Sequence, residues 1–267
     1  MPTPIEILLD PISLIVIAMY IGLMVWEAVF PARELPYVKH WKIKGIIAFT
    51  LYFYLSSYLP LLIDPYLEVF RLFDLTSMGT YGGALIGIVL YALGEYVWHR
   101  IMHSSDFLWR TVHQMHHSAE RLDTYGAFFF SPTDMIGWTL LGSVCFTIIV
   151  GLTPQAITIV LLVTNFFGIF QHANIKTPFW IGYFIQRPES HAVHHQKGLH
   201  KGNYAGLPIF DILFGTFYNP KGFESETGFY QGASDRITDM LLFRDISTEE
   251  EEKKSEGKTS KKQTVKA

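Results

Sequence analysis

Apolar residues in this chain fall in long runs. They show neither the alternation of a half-buried strand nor the three-to-four-residue spacing of a surface helix. Five runs approach the ~20 residues that cross a bilayer as a helix. They cover about Ile12 to Phe30, Gly45 to Ile63, Tyr81 to Trp98, Met135 to Leu152 and Thr153 to Phe170. The last two meet at Gly151-Leu152-Thr153-Pro154, a tight turn, and read as a hairpin that need not cross fully. The pattern predicts an all-α integral membrane protein with a stalk of four to five apolar helices. One membrane-embedded domain is expected over residues 1–245, followed by a charged, disordered tail over 246–267 (EEEEKKSEGKTSKK).

Composition supports this reading. Of 267 residues, 49% are hydrophobic and only 17% charged, against roughly a quarter charged in soluble domains. Mean hydropathy is +0.23. A net charge of -3 gives no case for nucleic-acid binding. The single Cys145 lies in an apolar run, where it reads as packing; an intrachain disulfide and a thiolate metal site are both excluded. The N-terminus shows no basic, cleavable secretory pattern.

Basic residues in short loops set orientation. Arg33, Lys39, Lys42 and Lys44 follow the first run, whereas Arg71 stands among Asp64, Glu68 and Asp74 after the second. The first loop is therefore expected in the cytoplasm, in a bacterial inner membrane or the endoplasmic reticulum. The third run then returns to the cytoplasm at His99, and a hairpin returns the chain there at His172.

Nine of the eleven histidines cluster on that side. They read HRIMH (His99, His103), HQMHH (His113, His116, His117), FQHAN (His172) and HAVHH (His191, His194, His195). Residues i, i+3 and i+4 share a helix face, so each cluster directs several imidazoles together. Imidazole suits iron, zinc and copper. Nine such ligands exceed the needs of one ion and match two ions with open positions. Glu95, one turn before His99, is read as holding a ligand ring in its tautomer. Asp106, Glu120, Asp134, Glu189, Asp211, Asn174 and Asn203 are weaker candidates for that supporting role. Two metals beside a bilayer suggest O2 chemistry on a lipid chain, because side chains alone do not break an unactivated C–H bond. Phe128, Phe129 and Phe130 are candidates to line an acyl or sterol channel.

The order H-x3-H, H-x2-H-H, FQHAN and H-x2-H-H, continuing through PESHAVHH and GNYAGLPIFDILFGTFYNP, resembles the fatty acid hydroxylase and sterol desaturase superfamily. The resemblance covers roughly Tyr81 to Pro220. It implies a cytosolic helical cap on the membrane stalk, two irons (zinc as substitute), O2 and an external electron donor. Carried over, the metal ligands are His99, His103, His113, His116, His117, His191, His194 and His195, with His172 as the additional histidine; His200 lies outside the core pattern and is a further candidate. It implies hydroxylation or desaturation of a fatty acyl chain or sterol. Electrons are expected from a cytochrome b5 or ferredoxin partner with its reductase, since no flavin or dinucleotide motif occurs in the chain. Arg100, Arg110, Lys176, Arg187, Lys197 and Lys201 offer that partner a basic face, or lie at the headgroup level. Two alternatives stand beside this reading. A membrane zinc hydrolase would want an acidic residue inside a histidine motif, as in H-E-x-x-H, and none is present. A haem or metal carrier would not need so many adjacent histidines.

Overall fold

A computed structural model describes residues 1–224, 226–248, 251 and 253. The tail expected over 246–267 lies, apart from residues 246–248, 251 and 253, outside the described residues.

The long helices begin where local chemistry dictates. After a short α1 (Pro4–Leu9), α2 (Pro11–Val29) starts at Asp10, whose side chain accepts from the backbone of Ile12. Helix α7 (Pro132–Ser143) starts at Ser131 and α8 (Pro154–Phe170) at Thr153, each capping a backbone N–H three residues on. In all three a proline follows the cap, where its missing N–H costs no intrahelical bond. Between them lie α3 (Trp41–Leu67) and α4 (Gly79–Ser104).

Among the described residues, four helical stretches are long and apolar enough to span a bilayer: Pro11–Val29, Trp41–Phe70, Thr76–Ser104 and Pro132–Ile149. Helix α8 is a shorter apolar element that returns to the end from which α7 departed. Their lipid-facing sides are recognisable. On α4, Leu85, Val89, Leu93, Val97 and Ile101 recur every fourth residue and all are exposed. Such a stripe is untenable in water and ordinary in hydrocarbon. The opposite side of α4 carries Gly83, Ala84 and Gly87 against α8. A Cβ on Gly87 would stand 2.7 Å from Val160 and 2.9 Å from Leu152, so any larger residue would push these side chains aside. Cys145 is buried in the small apolar cluster at this contact.

A two-residue parallel pairing of β1 (Phe73–Asp74) with β2 (Val150–Gly151) joins the two turns at one end of the stalk. At the other end the polar segments fold as a cap. It comprises α5 (Asp106–Leu108), a π turn at Trp109–His113, α6 (Gln114–His117), α9 (Pro188–His194), α10 (Ile209–Leu213) and α11 (Ile237–Leu241). Its apolar core includes Met115, Phe128, Phe129, Phe130, Ile175 and Ile246. Buried Glu27, near the end of α2, fastens the cap to the stalk. Its Oε2 accepts from the backbone of Thr124 (2.8 Å) and Asn174 (2.9 Å) and from the Thr124 hydroxyl (2.8 Å).

Candidate metal centre

The nine histidines converge where α4 leaves the stalk, and they sort differently in space than in sequence. One group joins His99, His103, His113, His117 and His194; the other joins His116, His172, His191 and His195. Within each group the potential ligand atoms lie within 4.8 Å of one another. The i, i+4 pairs His99/His103, His113/His117 and His191/His195 stay together. Of the remaining three, His172 joins the second group from just past the end of α8, while His116 and His194 are one residue from His117 and His195, and a helix turns about 100° per residue. Each therefore aims at the other group. HQMHH and HAVHH thus each serve both groups, and stacked rings of His117 and His195, 4.1 Å between centroids, hold the groups side by side.

Spacing within the groups fits metal ligation. His116 and His191 each place Nε2 3.0 Å from Nε2 of His172, and Nε2 atoms of His191 and His195 are 3.1 Å apart. In the first group, Nε2 atoms of His99 and His113 are 2.9 Å apart. Ligands at right angles around an ion with bonds of ~2.1 Å would stand about 3.0 Å apart. Buried Nε2 atoms of His103, His117 and His194 have no hydrogen-bond partner among the described residues. Orphaned buried nitrogens of this kind are rare, and ligation would satisfy them.

The far side of five rings is held by groups that fix their orientation, whereas Nδ1 of His116 and of His195 has no hydrogen-bond partner among the described residues. The Nδ1 atoms of His99, His172 and His194 each lie 2.7 Å from a backbone carbonyl, of Tyr204, Gly168 and Gly202 respectively. His113 Nδ1 donates to Asp134 Oδ2 at 2.8 Å, and the Gln186 amide lies 2.6 Å from His191 Nδ1. At His99, His113, His172 and His194 the partner is an acceptor, so Nδ1 carries the proton and Nε2 is bare, the form that binds a metal; at His191 the Gln186 amide nitrogen is a donor and fixes the ring's position instead. Burial, and secondarily neighbouring imidazoles, hold His113, His116, His117, His191, His194 and His195 well below the ordinary histidine range. Burial takes His172 down to about 4. The cap histidines are therefore neutral at pH 7.

Among the supporting residues expected from sequence, Asp134 alone holds an imidazole. Glu95 does not: its Oε2 accepts from the Gly206 backbone at 2.9 Å, because the loop after α9 folds over α4 at that turn. Asp211 accepts from the backbones of Tyr204 and Ala205, and Asn203 donates to Ser190 and Tyr218 carbonyls. Both shape the loop that presents the Tyr204 carbonyl to His99. Asn174 donates to the Arg33 carbonyl, Glu120 accepts from Gly232, and Glu189 pairs with Arg187. His200 belongs to neither group; its Nδ1 lies 3.1 Å from that of His117. The supports missed from sequence are Gln186 and the three carbonyls. No spacing rule marks a carbonyl, and Gln186 lies outside every histidine motif.

Arg187 leaves the basic face anticipated for a partner. It is fully buried, 3.0 Å from Glu189, and donates to Thr177, Asn219 and the Pro220 carbonyl. Arg100, Arg110, Lys176, Lys197 and Lys201 are exposed.

A small cavity of about 80 Å³ lies against both groups. His99, His113, His116, His172 and His191 form one wall. Glu95, Tyr52, Tyr91, Phe128, Phe130 and Trp138 line it as well, so two of the three consecutive phenylalanines do line a space at the site.

Residues 84–216 match the sequence model of the fatty acid hydroxylase family. Ornithine lipid hydroxylase OlsE of Rhizobium tropici is 32% identical over 51% of this chain and 42% of its own length. Sphingolipid C4-hydroxylase SUR2 of Saccharomyces cerevisiae is 28% identical over 64% of this chain and 48% of its own. Very-long-chain aldehyde decarbonylase GL1-9 of Oryza sativa is 26% identical over 49% and 53%. The chain spans about half the length of the curated relatives it matches. No solved structure matches it. Through the segment that carries all nine clustered histidines, the chain belongs to the fatty acid hydroxylase family.

Proposed function

We propose that this fatty acid hydroxylase family member is a membrane-bound oxygenase with one iron in each histidine group. His99, His103, His113, His117 and His194 would hold one ion, and His116, His172, His191 and His195 the other. The substrate is the aliphatic chain of a lipid, in keeping with the lipid hydroxylases among its relatives. The observation that carries this reading is the pair of buried all-imidazole groups beside a cavity at the membrane end of the cap. Bound iron supplies O2 activation and one-electron chemistry that side chains lack. Hydroxylation of R–H consumes O2, two electrons and two protons, and yields R–OH and water.

The chain's own residues prepare the site. Carbonyls of Tyr204, Gly168 and Gly202, with Asp134, lock ring tautomers. Phe128, Phe130 and Trp138 give the cavity apolar walls that exclude bulk water. The two electrons come from a cytochrome b5 or ferredoxin type partner, and exposed Arg100, Arg110, Lys176, Lys197 and Lys201 favour an acidic donor. The basic loop of Arg33, Lys39, Lys42 and Lys44 puts the cap in the cytoplasm.

Purified protein supplied with candidate lipids, O2, NAD(P)H and a donor system tests the proposal. Oxidised lipid that depends on all components supports it. Zinc-loaded protein that hydrolyses lipid without reductant would replace it with a hydrolase.

A further inference from the structure

A second, larger cavity of about 640 Å³ lies inside the stalk, bounded by α2, α3, α4, α7 and α8. It shares Tyr52, Tyr91, Trp138, Thr164 and Asn165 with the small cavity under the histidines. These five residues line both spaces and mark the neck through which one would open to the other. Beyond the neck the lumen passes Ser56, Gly142 and Ser143 and ends at Asp64, Glu68 and Arg71. Tyr52 to Asp64 spans twelve residues of α3, about 18 Å of helix rise. One leaflet's share of a ~30 Å hydrocarbon core is of similar depth.

We infer that this intramembrane groove binds one alkyl chain of a bilayer lipid, which enters sideways from the membrane and reaches the histidine site through the neck. The inference rests on the oxygenase reading for its chemistry and on the groove for its geometry. Three observations name the occupant. The groove lies among helices whose outer faces are lipid-exposed, so lipid chains surround it. Its volume falls within the usual range for small-molecule sites. Its length suits a stretch of chain to one side of the oxidised carbon, and charge at Asp64, Glu68 and Arg71 closes the far end to longer apolar stretches. The groove therefore acts as a length gauge, and the neck fixes which carbon stands under the histidines.

Gly142 offers a clean way to shorten the gauge. A Cβ there meets no atom within 4 Å, although the residue lines the lumen. Gly142→Phe would project a ring into the groove midway, in a helix that gains from losing glycine. Gly22→Phe adds the same bulk on the exposed side of α2, away from the groove, where a Cβ again meets nothing. Lipids of graded chain length would be assayed with wild type and both variants. In parallel, native mass spectrometry would measure retention of a long-chain lipid. The expected result for Gly142→Phe is at least a tenfold loss of kcat/KM and of retention for the longest chains, with short chains unaffected. Gly22→Phe should match wild type. Equal loss at every chain length, or no loss at any, would overturn the groove assignment. If wild type oxidises no lipid, the oxygenase reading fails, and unchanged lipid retention in Gly142→Phe would then separately remove the groove.

Discussion

His116 and His194 belong to different groups although each lies in a motif shared by both, so they test the two groups separately. His116→Ala and His194→Ala are each expected to abolish lipid oxidation while the protein still inserts in membranes, because the apolar spans are untouched. Full activity in either variant would remove that residue from the site. Asp134→Asn keeps the shape of the side chain but weakens its hold on His113 Nδ1. A 10–100-fold loss in metal affinity is expected, measured by competition with a chelator. The neutral histidines also set a pH dependence. The unfolded chain takes up protons below about pH 6.5, whereas the buried cap histidines resist protonation well below that. Between those limits the unfolded state binds more protons, so stability is complete above about pH 6.5 and falls as pH drops. Thermal melts of metal-free protein should shift down steadily from pH 7 to pH 5; a flat profile would show that the rings are solvated.

At the scale of elements, α9 depends on a buried pair at its start. Arg187→Leu would leave Glu189 unpaired in the interior. Breaking a buried pair in this way typically costs about 3–5 kcal/mol. The measurable outcome is faster proteolysis of the cap, and the Arg187→Leu/Glu189→Leu double variant should recover much of the loss. A single variant as resistant as wild type would mean that the pair contributes little. The elements themselves were largely legible. Asp10-Pro11, Ser131-Pro132 and Thr153-Pro154 announce three helices, and the apolar runs locate every span, although the second and third continue past Ile63 and Trp98 to Phe70 and Ser104. The nine histidines were legible as a set through their spacing. Their division into two groups was not drawn from it, although the 100° step between His116 and His117 carries that information. Glu95 misled because i, i+4 spacing reports a shared face and not a contact; a loop distant in sequence took its carboxylate. Arg187 misled because a charge count does not reveal that Glu189, Thr177 and Asn219 enclose it.

The whole molecule is an apolar stalk that carries a buried, imidazole-rich cap at one end. Its orientation is predicted by the basic loop between the first two spans. A reporter joined at Ala267 should be active on the cytoplasmic side; activity only on the opposite side would invert the topology and place the cap away from cytosolic reductants. Donor docking belongs to the same scale. Charge-steered association weakens as salt rises, so donor-supported turnover should fall steeply with ionic strength. Salt-independent rates would remove the exposed arginines and lysines from docking. The central claim, that the two histidine groups are two iron sites, is tested most directly by metal analysis of the purified, full-length protein. The account predicts about two irons per chain, falling in both His116→Ala and His194→Ala. Stoichiometric zinc without iron, or metal content unchanged by either substitution, would contradict it.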